Sequence, residues 1–261
     1  MDLTKKRALV TGASSGIGEQ FARQLAARGV DLIITARRAE RLEKLAAELR
    51  EAHSVEVTPI PLDLSAADAA KTLFEKTAAA DQPVDILINN AGYAIYGPFS
   101  DTPFDKTRNL LQLNILALSD LTHRFLGPMK ERNYGWILNV ASFVAYLPVG
   151  EFAAYSASKA YVRNFSEAVA AELKKTNVRV CSLCPGAVAT EFLDVAGQEQ
   201  VPGLVKATMS KPDKVARIGL AALFRGRRNI VAGVLNKIGV WFMRFLPRRL
   251  LVWIASKVMS K

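Results

Sequence analysis

The chain is predicted to fold as one α/β domain of the doubly wound, Rossmann-like kind, with helices on both faces of a parallel sheet of about seven strands. Two observations predict it. Short apolar runs recur along the 261 residues with helix-length segments of mixed polarity between them, and parallel neighbours need such crossover connections. No proline-, glycine- or serine-rich linker, low-complexity run or internal repeat interrupts the pattern, and a chain of this length, half of it hydrophobic, can bury one large core.

In order, strands are expected at 7–11, 31–36, 55–59, 85–89, 136–141, 178–184 and 229–232, with helices near 16–28, 39–51, 66–79, 103–130, 152–175 and 212–224. Ligands in such sheets bind where the carboxyl ends of the strands open onto loops. Thr11-Gly-Ala-Ser-Ser-Gly-Ile-Gly18 follows the first run, Arg37 the second, Asp63-Leu64 the third, Asn89-Asn-Ala-Gly92 the fourth, Ser142 the fifth and Pro185-Gly186 the sixth. All these features are therefore expected on one edge of the sheet.

The chemistry is concentrated in Tyr155-Ser-Ala-Ser-Lys159, with Ser142 thirteen residues upstream. Four residues apart on a helix, the phenol and the ammonium stack on one face, and a fixed cation there lowers the tyrosine pKa. Free tyrosine titrates near ~10, so the pairing makes a proton donor usable near neutral pH. A carbonyl receiving hydride needs such a proton, and a Ser142 hydroxyl at a strand end can donate to the same oxygen.

Gly12, Gly16 and Gly18 let the backbone turn tightly against a pyrophosphate at the amino end of the following helix. The second strand ends Thr35-Ala-Arg37-Arg38 with no acid until Glu40. A carboxylate there would suit the ribose of NAD. An arginine fork matches the 2'-phosphate of NADP instead, with Ser14 as a further donor.

The formal charge of +11 is local: Lys211 to Lys261 holds twelve basic residues against the single acid Asp213, while the first 210 residues carry 23 of each sign. The start, Met-Asp-Leu-Thr-Lys-Lys-Arg, lacks the apolar segment of a secretion signal, so a cytoplasmic protein is expected. Cys181 and Cys184 lie in a strand-like run, where residues three apart point to opposite faces, so buried structural thiols are expected and not a redox pair. His53 and His123 stand alone, and no metal site is expected.

Jointly these motifs resemble the short-chain dehydrogenase/reductase family, over about Lys5 to Arg225. They are Thr11-Gly-x-x-x-Gly-Ile-Gly18, Asn89-Asn-Ala-Gly92, Ser142, Tyr155-x-x-x-Lys159 and Pro185-Gly-x-x-x-Thr190. The resemblance implies that Tyr155 is the acid/base and that Lys159 both lowers its pKa and binds the nicotinamide ribose. It implies that Ser142 polarises the carbonyl and that Asn114 holds a water in the proton relay. By the same likeness Ser15 and Ile17 join the glycine turn at the cofactor, Asp63 and Leu64 meet the adenine, and Asn90, Ala91 and Gly92 lie beside the ribose. Pro185, Gly186, Val188 and Thr190 hold the nicotinamide end. Residues 1–233 are thus expected to form an NADP(H)-binding catalytic domain, in a homodimer or homotetramer.

Substrate contacts are expected from 93–96, 143–150 and 191–211, with Phe143, Tyr146, Leu147 and Phe152 forming an apolar wall beside Ser142 and Tyr155. Those side chains read equally as a wall for a lipid-like carbonyl compound or as core residues. The extension 234–261 holds six basic residues and no acid, interleaved with Trp241, Phe242, Phe245, Trp253 and Ile254, and Pro247 splits it into two short helical pieces. A basic amphipathic helix fits a peripheral site on an anionic membrane surface or capture of an acidic substrate. Docking on the domain or on another subunit fits the same pattern. Nucleic acid is not an expected partner. An alternative from another class is a nucleotide-dependent membrane or protein scaffold that works through this tail.

Overall fold

The computed structural model describes residues 2–78, 82–198 and 203–259. Seven parallel strands form one sheet in the order β3-β2-β1-β4-β5-β6-β7. They are β1 (Arg7–Thr11), β2 (Asp31–Ala36), β3 (Val57–Pro61), β4 (Ile86–Asn89), β5 (Gly135–Val140), β6 (Val178–Cys184) and β7 (Asn229–Val231). The chain runs outward from β1 to β3, then returns to the other side of β1 with β4, so the strand order reverses between β1 and β4. That reversal opens a crevice at the carboxyl ends.

The central strands carry apolar side chains almost without alternation because helices cover both faces: β4 and β5 are buried at every position. β3 tolerates Pro59 and Pro61 because it is an edge strand with one unpaired side. One face is covered by α1 (Gly16–Ala26), α2 (Ala39–His53) and α9 (Pro212–Phe224). α1 turns Phe21, Ala22, Leu25 and Ala26 onto the sheet at helical spacing. The other face is covered by α3 (Ala69–Ala78), α5 (Leu118–Glu131) and α6 (Ala153–Glu172), which bury Leu73, Leu121 and Val169. Each such side chain fully withdrawn from water stabilises the fold by roughly 1.5–3 kcal/mol before entropy is counted.

The expected helix over 103–130 is broken. α4 (Phe104–Leu111) passes through a π-helical turn, Gln112–Ala117, before α5 begins. Short segments follow β6: α7 (Phe192–Val195) and α8 (Gly203–Ala207). The tail forms α10 (Val234–Met243) and α11 (Arg248–Met259), on either side of Pro247. Cys181 and Cys184 are free and buried in different core clusters, and burial pushes both thiols up to about 12.

Candidate active site

The glycine turn after β1 is held by a small polar knot. Thr11 Oγ1 accepts from the backbone N–H of Asn90 and of Ala91, both at 2.9 Å, and donates to the Ile88 carbonyl at 3.2 Å. The Asn90 amide donates to the carbonyls of Thr11 (3.0 Å) and Gly12 (3.2 Å). Gly12 and Gly16 lie in the left-handed region, at φ 66° and 61°. At Gly18 a Cβ would stand 2.1 Å from the Gly12 carbonyl oxygen, so only glycine allows α1 to begin against this turn. The result is a backbone cradle open to the crevice at the head of a helix, and it fits a dinucleotide pyrophosphate.

Beside the cradle stand two arginines. Arg37 lines the cavity, but Arg38 makes the contacts: its guanidinium donates to Ser14 Oγ (3.2 Å) and Ser15 Oγ (2.8 Å) and pairs with Glu191 at 2.8 Å. Arg41 takes the other oxygen of Glu191, also at 2.8 Å. The two guanidiniums hold the Glu191 carboxyl below its ordinary range. The segment after β6 is thereby tied across the cradle to the end of β2, a contact that sequence spacing gives no means to foresee.

At the other end, α6 turns an unusual stripe onto the sheet. Tyr155, Ser158, Lys159, Val162, Ser166 and Val169 are all buried at helical spacing. Lys159 Nζ donates to the Val140 carbonyl at the end of β5, at 2.8 Å. Ser142 caps a 3-10 turn, Phe143–Tyr146, by accepting from the Val144 N–H at 3.3 Å, which leaves its own proton to donate.

The electrostatics correct one expectation. The phenol of Tyr155 is not lowered toward neutrality: burial pushes it up to about 12, offset only in part by a hydrogen bond from Ser142. Burial also brings the Lys159 ammonium down to about 8. Its nitrogen sits 5.8 Å from the centre of the Tyr155 ring, and desolvation is the largest cause of both shifts.

A single cavity of about 690 Å³ joins both ends. Its walls include Gly12, Ser14, Ser15, Gly16, Ile17 and Arg37, then Asp63, Leu64, Asn90, Ala91 and Gly92. They continue through Ser142, Phe143, Tyr155 and Lys159 to Pro185, Gly186, Val188 and Thr190. Three expected residues stand off the wall. Gly18 supports the turn from behind. Asn114, fully buried in the π-helical turn, accepts from the Tyr93 N–H (3.2 Å) and donates to the Tyr93 carbonyl (3.0 Å) and to Ser158 Oγ (3.1 Å). It packs behind Gly92, where a Cβ would stand 2.9 Å from its amide oxygen and 3.3 Å from Lys159 Nζ. Tyr146 faces away: its hydroxyl donates to Asn229 at 3.1 Å, and the Arg163 guanidinium covers its ring at 4.3 Å. Three residues apart on a 3-10 turn, Phe143 and Tyr146 pack against the same apolar cluster, and it is the hold of Asn229 and Arg163 on Tyr146 that keeps its ring off the cavity wall.

Leu147 and Phe152 line the cavity with Phe143 as expected, and the segment 191–211 contributes Phe192 and Gln198; the sequence reading missed Asn236, Met243 and Ile254 from the tail, which line it too. The Phe152 and Phe192 rings lie 5.9 and 5.6 Å from that of Tyr155. Gln198 is 2% exposed, and its amide nitrogen has no hydrogen-bond partner among the described residues.

A family model described as short chain dehydrogenase matches residues 6–201. A 7beta-hydroxysteroid dehydrogenase of Clostridium sardiniense is 34% identical over 229 residues, 88% of this chain and 86% of that protein. A solved short-chain dehydrogenase from Sphingobium yanoikuyae in complex with NADPH is similar at TM-score 0.81 and 28% identity, over 93% of this chain and 96% of that one. The fold is shared again, at TM-score 0.85 and 24% identity over 92% and 93% of the two chains, by a short chain dehydrogenase/reductase from Burkholderia phymatum in complex with NAD.

Proposed function

The chain belongs to the short-chain dehydrogenase/reductase family, and from that premise we propose that it is an NADP(H)-dependent oxidoreductase acting on an apolar, lipid-like carbonyl compound or secondary alcohol. The observation that carries the reading is one cavity with the glycine cradle and an arginine pair at one end and Ser142, Tyr155 and Lys159 at the other. Bound there, the dinucleotide supplies or accepts the hydride. The scaffold alternative finds no support in the family comparisons.

In the reducing direction the Ser142 hydroxyl donates to the substrate oxygen and the Tyr155 phenol delivers its proton to it. A phenol raised to about 12 is fully protonated at pH 7, the state a donor requires. Lys159 is protonated by about ten to one at that pH and supplies the nearest buried cation as the phenol gives up its proton. The Asn114 amide holds Tyr93 and Ser158 in place; the family likeness implies that this residue also holds a water of the proton relay. In oxidation the same groups run in reverse.

Two features support NADP(H) over NAD. No acid stands among Ala36, Arg37 and Arg38 to accept from a ribose 2'-hydroxyl, and Arg37, Arg38 and Ser14 together offer a charged fork for a 2'-phosphate. The wall near Tyr155 is built from Phe143, Leu147, Val149, Phe152 and Phe192, which supports an apolar substrate. The unpartnered Gln198 amide adds one requirement, because a buried donor without an acceptor is costly. It calls for a substrate with a hydrogen-bond acceptor away from its reacting carbon.

The test follows NADPH and NADH absorbance with a panel of ketones, aldehydes and secondary alcohols, steroid and acyl compounds included. Turnover with NADPH on apolar members is expected. Equal use of NADH, or activity confined to small polar substrates, would overturn the finer reading.

A further inference from the structure

α10 is amphipathic in an inverted sense. Its inward side buries Val240, sets Gly239 over the Phe143 ring and brings Met243 to the cavity wall. Val234, Leu235, Ile238, Trp241 and Phe242 point to the outside, and Phe245, 68% exposed, continues the row just beyond the helix. At 100° per residue these six fall within an arc of about 120°. Fifteen large hydrophobic residues are exposed among the described residues, and ten of them lie between Val234 and Ile254. That concentration on one small part of the surface marks an interaction site. The Trp241 ring packs edge-on against Phe242 and Phe245 at 4.9 Å each.

The same segment carries the cations Lys237, Arg244, Arg248, Arg249 and Lys257, with Lys261 outside the described residues and no acid anywhere in 234–261. We propose that the outward face of α10 and α11 docks on the surface of an anionic lipid bilayer and sets the open end of the reaction cavity against it. Charge decides the partner. A second copy of the chain would meet this face with itself, bringing like cations together with no acid in the segment to offset them. Anionic headgroups supply the missing charge along the whole face, and tryptophan rings suit the boundary between headgroup and acyl chain. Ten and twelve residues are too short to span a bilayer, and no described helix is long and apolar enough to cross one. The helices therefore lie along the surface.

The face is continuous with the site. Ile254 is 36% exposed and also lines the cavity, as do Ala255 and Met243. An apolar substrate can then pass between bilayer and cavity along tail side chains, a consequence that rests on the proposed function; the docking itself does not.

The experiment uses the full chain with vesicles of phosphatidylcholine, alone or mixed with phosphatidylglycerol, read by sedimentation and tryptophan fluorescence. Trp136 is 4% exposed and stays silent, so the signal comes from Trp241 and Trp253, 54% and 59% exposed. Binding to the anionic vesicles should be at least about tenfold tighter than to the neutral ones, with a blue shift and strong salt sensitivity. The triple variant W241S/F242S/F245S should lose at least about tenfold in binding while thermal melting and turnover of a water-soluble ketone stay as in the parent. Should the triple melt early, Phe245→Ser alone carries the test, since that residue lies past the end of α10. R244A/R248A/R249A should bind the two vesicle types alike. Absence of binding to anionic vesicles, equal binding by the triple variant, or a parent dimer that the triple variant converts to monomer without any vesicle binding would each overturn the proposal. Vesicle binding with no turnover of any carbonyl compound would instead count against the proposed function alone.

Discussion

Helices α1 and α10 are of nearly equal length, eleven and ten residues, yet they meet solvent with opposite chemistry. α1 turns Phe21 and Leu25 onto the sheet and leaves outside an ion-paired row in which Arg23 bridges Glu19 (2.8 Å) and Glu48 (2.7 Å). α10 buries Val240 and leaves outside Leu235, Trp241 and Phe242. The difference lies in what each helix is given to cover. The sheet presents an apolar surface that absorbs the stripe of α1, whereas the body offers α10 a narrow contact around Phe143 and the cavity rim. Net charge divides the same way: the first 210 residues balance, and the surplus begins at Lys211. A body whose charges meet one another stands beside a tail whose charges and apolar residues both face outward.

The comparison implies that chemistry belongs to the body, and the largest expected effect tests that. Tyr155→Phe removes the proton donor and should lower kcat on the order of 10³-fold, while NADPH binding, followed by fluorescence titration, is kept. Retained turnover would remove the phenol from the mechanism.

Lys159 comes next. Its folded pKa of about 8 lies below its ordinary 10.5, so between those values the unfolded chain binds more protons and stability from this group rises with pH. The window is worth about 3 kcal/mol. Tyr155 acts in the opposite sense between about 10 and 12. Lys159→Met should flatten the rise in Tm measured from pH 8 upward. In the parent enzyme kcat/KM for reduction should fall in a single step near pH 8, as the ammonium is lost while the phenol stays protonated. A flat profile through that point would deny Lys159 its part.

Gly18→Ala forces a methyl against the Gly12 carbonyl and should cost about 1–3 kcal/mol, with a raised KM for the dinucleotide; an unchanged Tm would mean the turn has room to shift. Arg37→Asp should move preference toward NAD by about tenfold with kcat little affected. Arg38→Ala should do less, because Glu191 already engages that guanidinium. The smallest effect belongs to the tail: W241S/F242S/F245S should stay within ±0.5 kcal/mol of the parent on denaturant unfolding. A large loss would show that this face is packed after all and would erase the contrast with α1.

Much of the fold was legible in the sequence because its signals are local. β1, β2 and β6 occupy 7–11, 31–36 and 178–184 as expected, and α9 spans 212–224. The other strand limits moved by no more than about two residues, within the ordinary uncertainty of boundaries. The break in the long helix at Gln112–Ala117 was not legible, since its residues have ordinary helical character and the π-helical turn is held by what Asn114 meets across the chain. The Tyr155-Lys159 spacing was legible as a shared face; that burial would raise the phenol was not, because desolvation depends on the whole surrounding core. Arg37 was foreseen at the end of β2, while the hold of Arg38 on Ser14, Ser15 and Glu191 joins segments up to 153 residues apart.

By itself the amino-acid sequence determined the alternation of strand and helix, the glycines at the first turn, the residue types available for proton transfer and the placing of the charge surplus. These follow from periodicity, backbone freedom and composition, which act over a few neighbours. Tertiary structure alone decided which arginine reaches the serines of the turn, that Tyr146 faces away from the cavity while Gln198 lines it, and that tail helices close the wall with their apolar side outward. Each depends on surfaces brought together from distant parts of the chain, and the side a helix turns inward is set by what the rest of the fold leaves for it to cover.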